Sequence, residues 1–262
     1  MQIFQRTSKI SRFAGYALLV LAVIAIWVKL RSLPDDGGLP LAIRWEGIAN
    51  GKNFRDTGSS INNCYGEEIL KPDLLMRSNV WFSGWGCFRV GSPDDIYSLN
   101  YTPERKERYF CRNFNKNLIG KFYNTETELY NLEFIESWDN ELMRKGACGF
   151  LTHIFDSLIQ QRRTLMHCDA GRDRTGTISA LITALVAEEL GILDEKMIDA
   201  IECDYRKSNG INEGKYNRMR NFISSMRSYG SIAGFLTKKC QIPDSQLKNL
   251  VKAFAVTSQQ SL

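Results

Sequence analysis

His167-Cys168-Asp169-Ala170-Gly171-Arg172-Asp173-Arg174-Thr175-Gly176 is the stretch on which the reading of this chain turns. Before it, Arg163-Thr164-Leu165-Met166 reads as a short buried strand; after it, Ile178 to Leu190 carries an apolar helical pattern closed by Gly191. The decapeptide is therefore a strand-to-helix turn. In open α/β sheets ligands bind at the carboxyl ends of strands, where a helix N-terminus offers free N–H groups and a partial positive charge to an anion. The same field favours a thiolate, which makes Cys168 the candidate nucleophile. Six residues on, Arg174 can curl back so that its planar fork meets two oxygens of one phosphate. Gly171 and Gly176 let the backbone turn sharply inside the cup. A lone cysteine beside a helix start is more often structural, but His, Gly, Arg and Thr at fixed offsets around this one point to an anion-holding loop.

Working outward, 262 residues suffice for one sizeable α/β domain with appendages or for two small domains. Hydrophobic content of 44% and charged content of 24% are those of a globular protein. A net charge of +5 suits an anionic substrate or a membrane surface, but Lys and Arg are spread without a polybasic run, so no nucleic-acid partner is expected. The seven cysteines (64, 87, 111, 148, 168, 203 and 240) form no C-x-x-C pair and there are two histidines, so neither a metal site nor a redox motif is expected. An odd count leaves at least one free thiol. Disulfides among the other six would require a compartment outside the cytosol.

The chain begins with a basic tail, residues 1–12, carrying Arg6, Lys9 and Arg12 and no acid. Residues 13–30 then read as a transmembrane signal anchor, with Trp27 and Lys29 suited to the interface. The run ends Ala25-Ile26-Trp27-Val28-Lys29, without the small residues of a cleavage site, which favours an uncleaved anchor over a secreted, cleaved form. The positive flank is expected to stay in the cytoplasm, which puts the rest of the chain in an extracytoplasmic (periplasmic) location. Residues 31–45, rich in Ser, Pro, Asp and Gly, form a linker to a catalytic domain over 46–256.

Within that domain, Asn53-Phe54-Arg55-Asp56-Thr57-Gly58 and the short strand Leu74-Leu75-Met76-Arg77-Ser78 add two further signals. With the decapeptide they resemble the bacterial tyrosine phosphatases of the atypical, dual- or triple-specificity kind. The resemblance runs from about residue 46 to 255. It takes in Ile96 to Glu104, Asp204-Tyr205 with Ser208, Phe235-Leu236 and Leu247 to Leu250. It implies the protein tyrosine phosphatase fold, an α/β architecture with a central, mostly parallel sheet flanked by helices. Three departures stand out. Gly58-Ser59 replaces a double glycine, Ser98 and Asn100 stand where the third-strand pattern has an Asp and an Arg of an ion pair, and Arg172 replaces a Lys.

The resemblance also implies a reaction. Cys168 attacks phosphorus, water hydrolyses the phosphocysteine, and no cofactor is needed. The N–H groups of Asp169, Ala170, Gly171, Arg172, Asp173 and Arg174, with the Arg174 guanidinium, would hold the equatorial oxygens. Thr175 would hydrogen-bond the sulfur, and His167 would orient and tune it. Arg55 and Asp56 would form an ion pair bracing the loop, with substrate contact as the second role. The leaving oxygen needs a proton; Asp173 is the first candidate donor and Asp139, at the distance of a separate acid loop, the alternative. Arg172 adds a cation for multiply charged substrates or is a solvated surface charge. Substrates would be phosphotyrosine proteins, with phosphoserine/threonine and phosphoinositides as further candidates; a catalytically weak phosphate-binding scaffold is the competing reading.

Remaining expectations concern packing. Residues 105–145 read as a peripheral insertion with its own aromatic cluster, a lid being the alternative. Helices are expected from Gly149 to Ile159, from an Asp194 cap towards Tyr205, from Glu213 to Met226, and at the end through Leu247, Leu250, Val251 and Phe254, with a turn at Asn209-Gly210.

Overall fold

Strand β5, Thr164–Cys168, lies at the centre of a five-stranded sheet. A computed structural model describes residues 53–79, 87–100, 122–124, 127 and 129–256, all within one unit, Asp36–Leu262. The expected tail, anchor, linker and domain start lie outside the described residues; among these no helix is long and apolar enough to cross a membrane. The other strands are β1 (Arg55–Asp56), β2 (Leu75–Asn79), β3 (Asp95–Ser98) and β4 (Phe122–Asn124), in the order β1-β2-β5-β3-β4. Only β1 runs antiparallel, so the sheet is mostly parallel. Successive side chains point to opposite faces. Leu75, Tyr97 and Met166 enter the main core, while Met76, Ile96 and Leu165 meet a smaller cluster with Cys87 and Val90 of a 3-10 turn. Burial on both faces explains why these strands read as continuous rather than alternating.

Seven helices are described: α1 (Thr57–Tyr65), α2 (Glu141–Ile159), α3 (Asp173–Glu189), α4 (Glu195–Arg206), α5 (Arg218–Arg227), α6 (Ile232–Cys240) and α7 (Asp244–Phe254). Helix α3 is buried continuously from Thr175 to Ala187, the signature of a helix with no solvent face. It starts five residues before the expected Ile178, because the polar end of the decapeptide is its first turn. Helix α2 starts at Glu141 rather than Gly149, since Asn140 accepts the Met143 N–H and nucleates an earlier turn. The Asp194 cap on α4 is observed through Met197 N–H. The helix expected over Glu213 to Met226 is broken into a 3-10 turn, Glu213–Lys215, and α5. Asn217 at the break has φ +63°, and the Glu202 carboxylate accepts its N–H and that of Met219.

The reading of 105–145 as a peripheral insertion is corrected wherever the segment is described. Phe122–Asn124 is a sheet strand, and Leu129, Leu132 and Trp138 are fully buried in the main core. Trp138 stacks on Phe222 and meets Phe235 edge-on. Of the expected aromatic cluster, Tyr130 and Phe134 are exposed, and Tyr109, Phe110 and Phe114 lie outside the described residues. Disulfides join Cys64 to Cys203, between α1 and α4, and Cys148 to Cys240, between α2 and α6; Cys87 is also disulfide-bonded. Cys168 is a free thiol.

Candidate active site

The central strands end together: Asn79 of β2 pairs with Cys168, and Ser98 of β3 with His167. From this carboxyl edge four residues carry the chain into α3. Gly171 has φ +62°, and a Cβ there would lie 2.4 Å from the Ser78 carbonyl and the Asn79 nitrogen. Glycine is thus required by conformation and by space. The Arg174 guanidinium curls back, as expected, donating to Leu99 O at 2.9 Å and to Asp169 Oδ2 at 3.1 Å. Asp169 N–H is taken by Asn100 Oδ1, so Asn100, which stands where the family pattern has an ion-pairing Arg, supports the loop. The backbone N–H groups of 170 to 174 have no acceptor among the described residues. They leave a concave row of donors beside the Cys168 thiol.

A buried wall holds this loop from behind. Arg77, wholly inaccessible, donates to Gly171 O at 3.3 Å, Arg172 O at 3.2 Å and Asp204 Oδ2 at 2.6 Å. Arg55 reaches the same carboxylate at 2.7 Å and Ser208 Oγ at 2.9 Å. Asn53 donates to Ala170 O at 2.6 Å. The expected Arg55–Asp56 ion pair is therefore corrected. Arg55 pairs with Asp204, and Asp56 caps α1 by accepting the N–H of Ser59 while also accepting that of Asp73.

The charges of this wall follow from their partners. Burial pushes Asp56 up to about 7, because backbone amides are weaker compensation than a cation. Burial would raise Asp204 too, but Arg55 and Arg77 overcome it and hold that carboxyl far below the usual range. Arg77 is lowered to about 10 by burial and Arg55, against the pull of Asp204 and Cys168, and so stays a cation. His167 is lowered to about 3 by burial, with Arg174 adding repulsion, and is neutral at physiological pH. It fits an orienting role and cannot act as a charged partner there.

In front of the loop lies a cavity of about 320 Å³. Its walls include Tyr130, Glu133, Asp173, Arg174, Lys215 and Arg218. Asp173, at the first position of α3, faces donors on both oxygens: Tyr205 Oη at 2.6 Å and Lys215 Nζ at 3.2 Å on Oδ1, and Lys215 Nζ at 2.9 Å and Arg172 Nε at 3.1 Å on Oδ2. Although burial raises it, these bonds leave its carboxyl below the usual range. Arg172 also donates to Gly210 O, which ties it to the loop's flank rather than leaving it free at the mouth. Asp139 is not brought to the loop: it is exposed, pairs with Lys239 of α6 and is absent from the cavity wall. Thr175 Oγ1 is buried without a partner among the described residues, and no bond to the Cys168 sulfur is formed. Among the described residues no group of His, Cys, Asp and Glu could hold a metal ion.

The loop stands where its sequence indicates, whereas Glu133, Lys215 and Arg218 join the site without belonging to any motif. Only Glu133 left a trace, as an acid inside the apolar run Leu132 to Ile135. The sequence pattern of the tyrosine phosphatase family matches residues 126–256, from the cavity's first wall through the loop to the last helix. The chain belongs to that family and is a phosphatase of the protein tyrosine phosphatase kind. No curated protein matches it.

Proposed function

We propose that the chain hydrolyses phosphomonoesters, phosphotyrosine first, through a phosphocysteine on Cys168. The observation that carries this is the thiol at the end of β5 beside a row of unengaged amide donors closed by Arg174. A phosphoryl group seated there would meet the thiolate on one side, and its equatorial oxygens would meet N–H groups and a guanidinium. Thr175 Oγ1, buried without a partner among the described residues, would donate to the departing sulfur in the second step. The proposal extends to phosphoserine/threonine and phosphoinositides as further substrates, and it invokes no cofactor. The disulfides, together with the apolar run 13–30, support an anchored enzyme whose catalytic domain lies outside the cytosol.

The test is hydrolysis of p-nitrophenyl phosphate by the reduced protein. Vanadate-sensitive turnover that disappears in Cys168→Ser is expected. Turnover surviving in Cys168→Ser would overturn Cys168 as the nucleophile, and none in the wild type with a fully reduced Cys168 would overturn the reading in favour of a phosphate-binding scaffold.

A further inference from the structure

The reaction needs a proton donor at the leaving oxygen, and the cavity wall narrows the choice. Both Asp173 oxygens accept bonds, from Tyr205, Lys215 and Arg172, so a proton on Asp173 would have to displace one of the two cations or turn the Tyr205 hydroxyl from donor to acceptor. Arg174 and Arg218 do not release protons in proteins. Glu133 is arranged differently. Its Oε1 accepts from Arg218 at 2.7 Å, while Oε2 is buried without a partner among the described residues. Its side chain is only 4% exposed, yet the residue lines the same cavity as Arg174.

We propose that Glu133 is the general acid: Oε2 carries the proton given to the leaving oxygen, and Arg218 positions the carboxyl through Oε1. This rests on the phosphatase reading above. In the first step the Cys168 sulfur bonds to phosphorus, the P–O bond to the leaving group breaks with its electron pair on oxygen, and that oxygen takes the Oε2 proton. In the second step water attacks phosphorus and gives a proton to the Glu133 carboxylate. The S–P bond then breaks, restoring the thiolate and releasing phosphate. The groups facing Glu133 are Arg218 from α5, Tyr205 from α4, Asp173 and Arg174 from α3, Lys215 from the 3-10 turn and Tyr130 from its own segment.

The experiment compares kcat across aryl phosphates of graded leaving-group pKa for Glu133→Gln, Asp173→Asn and Lys215→Met in the full chain, with Glu133→Asp as the conservative variant. Glu133→Gln keeps an acceptor for Arg218, and a thermal melt checks its fold. A loss on the order of 10²–10⁴ on phenyl or tyrosyl phosphate is expected, with near wild-type rates on the best leaving groups, loss of the basic limb of the pH–kcat profile, and partial recovery in Glu133→Asp. The proposal is overturned if that signature appears in Asp173→Asn or Lys215→Met instead, or if Glu133→Gln loses activity equally on all leaving groups. Failure of the reading on which this rests would show separately, as no turnover by the reduced wild type or as turnover that survives Cys168→Ser.

Discussion

Behind the phosphate loop and in front of it, the protein uses the same kinds of side chain to opposite ends. Behind it, Asp204 lies between Arg55 and Arg77 with almost no solvent contact. In front, Asp173 lies between Lys215 and Arg172 with about a quarter of its side chain exposed. Desolvation makes the rear charges interdependent, since none can lose its partner without an uncompensated charge in the interior. The front charges, partly open to water, cost less to separate from their partners than the rear ones. The rear wall therefore fixes where the loop carbonyls and amides point, and the front wall can take part in chemistry.

The largest test of that contrast is Asp204→Asn. It leaves two buried cations facing a neutral amide, and removing one partner of a buried pair costs roughly 3–5 kcal/mol. A fall in melting temperature of several degrees is expected, with weaker vanadate binding, because Arg77 also holds the carbonyls of Gly171 and Arg172. An Asp204→Asn variant as stable as wild type would place the loop's support elsewhere.

Smaller, and opposite in its pH dependence, is the effect of Asp56. It is as buried as Asp204 but meets amides rather than cations. Its folded-state value, about 7, stands above the ordinary 3.8, so the folded protein holds this proton more tightly than the unfolded chain. That contribution to stability is complete below about pH 4 and is lost as pH rises through 7. Asp204, depressed instead, contributes stability that is lost as pH falls below its ordinary range. Denaturant melts of Asp56→Asn from pH 4 to 8 should therefore show a flatter profile than wild type. An unchanged slope would mean that Asp56 ionises freely in the fold.

What the sequence disclosed follows the same division. The loop was legible because its parts are adjacent in the chain: a strand, a thiol, two glycines and an arginine within ten residues, each with a local physical role. The rear wall was half legible, since Arg55 and Asp204 were marked by resemblance, but their pairing spans 149 residues. Arg55 was assigned to its neighbour Asp56, which the helix start claims as a cap. The front wall was nearly illegible. Glu133, Lys215 and Arg218 belong to segments whose local patterns specify only a 3-10 turn, a broken helix and an exposed face, and the cavity arises where those segments meet. The segment 129–139 misled because its exposed aromatics suggested a surface cluster. The buried Trp138, Leu132 and Leu129 instead tie it to the core.

The two walls meet at Tyr205, the residue after Asp204 on α4. Its ring packs where a Cβ on Gly176 would lie, 2.8 Å away, and its hydroxyl donates to Asp173 at 2.6 Å. Burial and the Asp173 carboxylate raise this phenol far above its ordinary value, so it stays protonated and donating throughout the working pH range. Tyr205→Phe keeps the ring and removes one hydrogen bond to a charged group at a half-buried site, so a cost of about 1 kcal/mol is expected. With one donor gone, the Asp173 carboxyl should move back towards the ordinary carboxylate range. If the walls are separable, vanadate affinity should change little in Tyr205→Phe, because Arg77 and Asn53 still hold the loop, and only the pH dependence set by the front wall should shift. Vanadate affinity falling as far as in Asp204→Asn would show that the loop is braced from both sides and that the division fails at this residue.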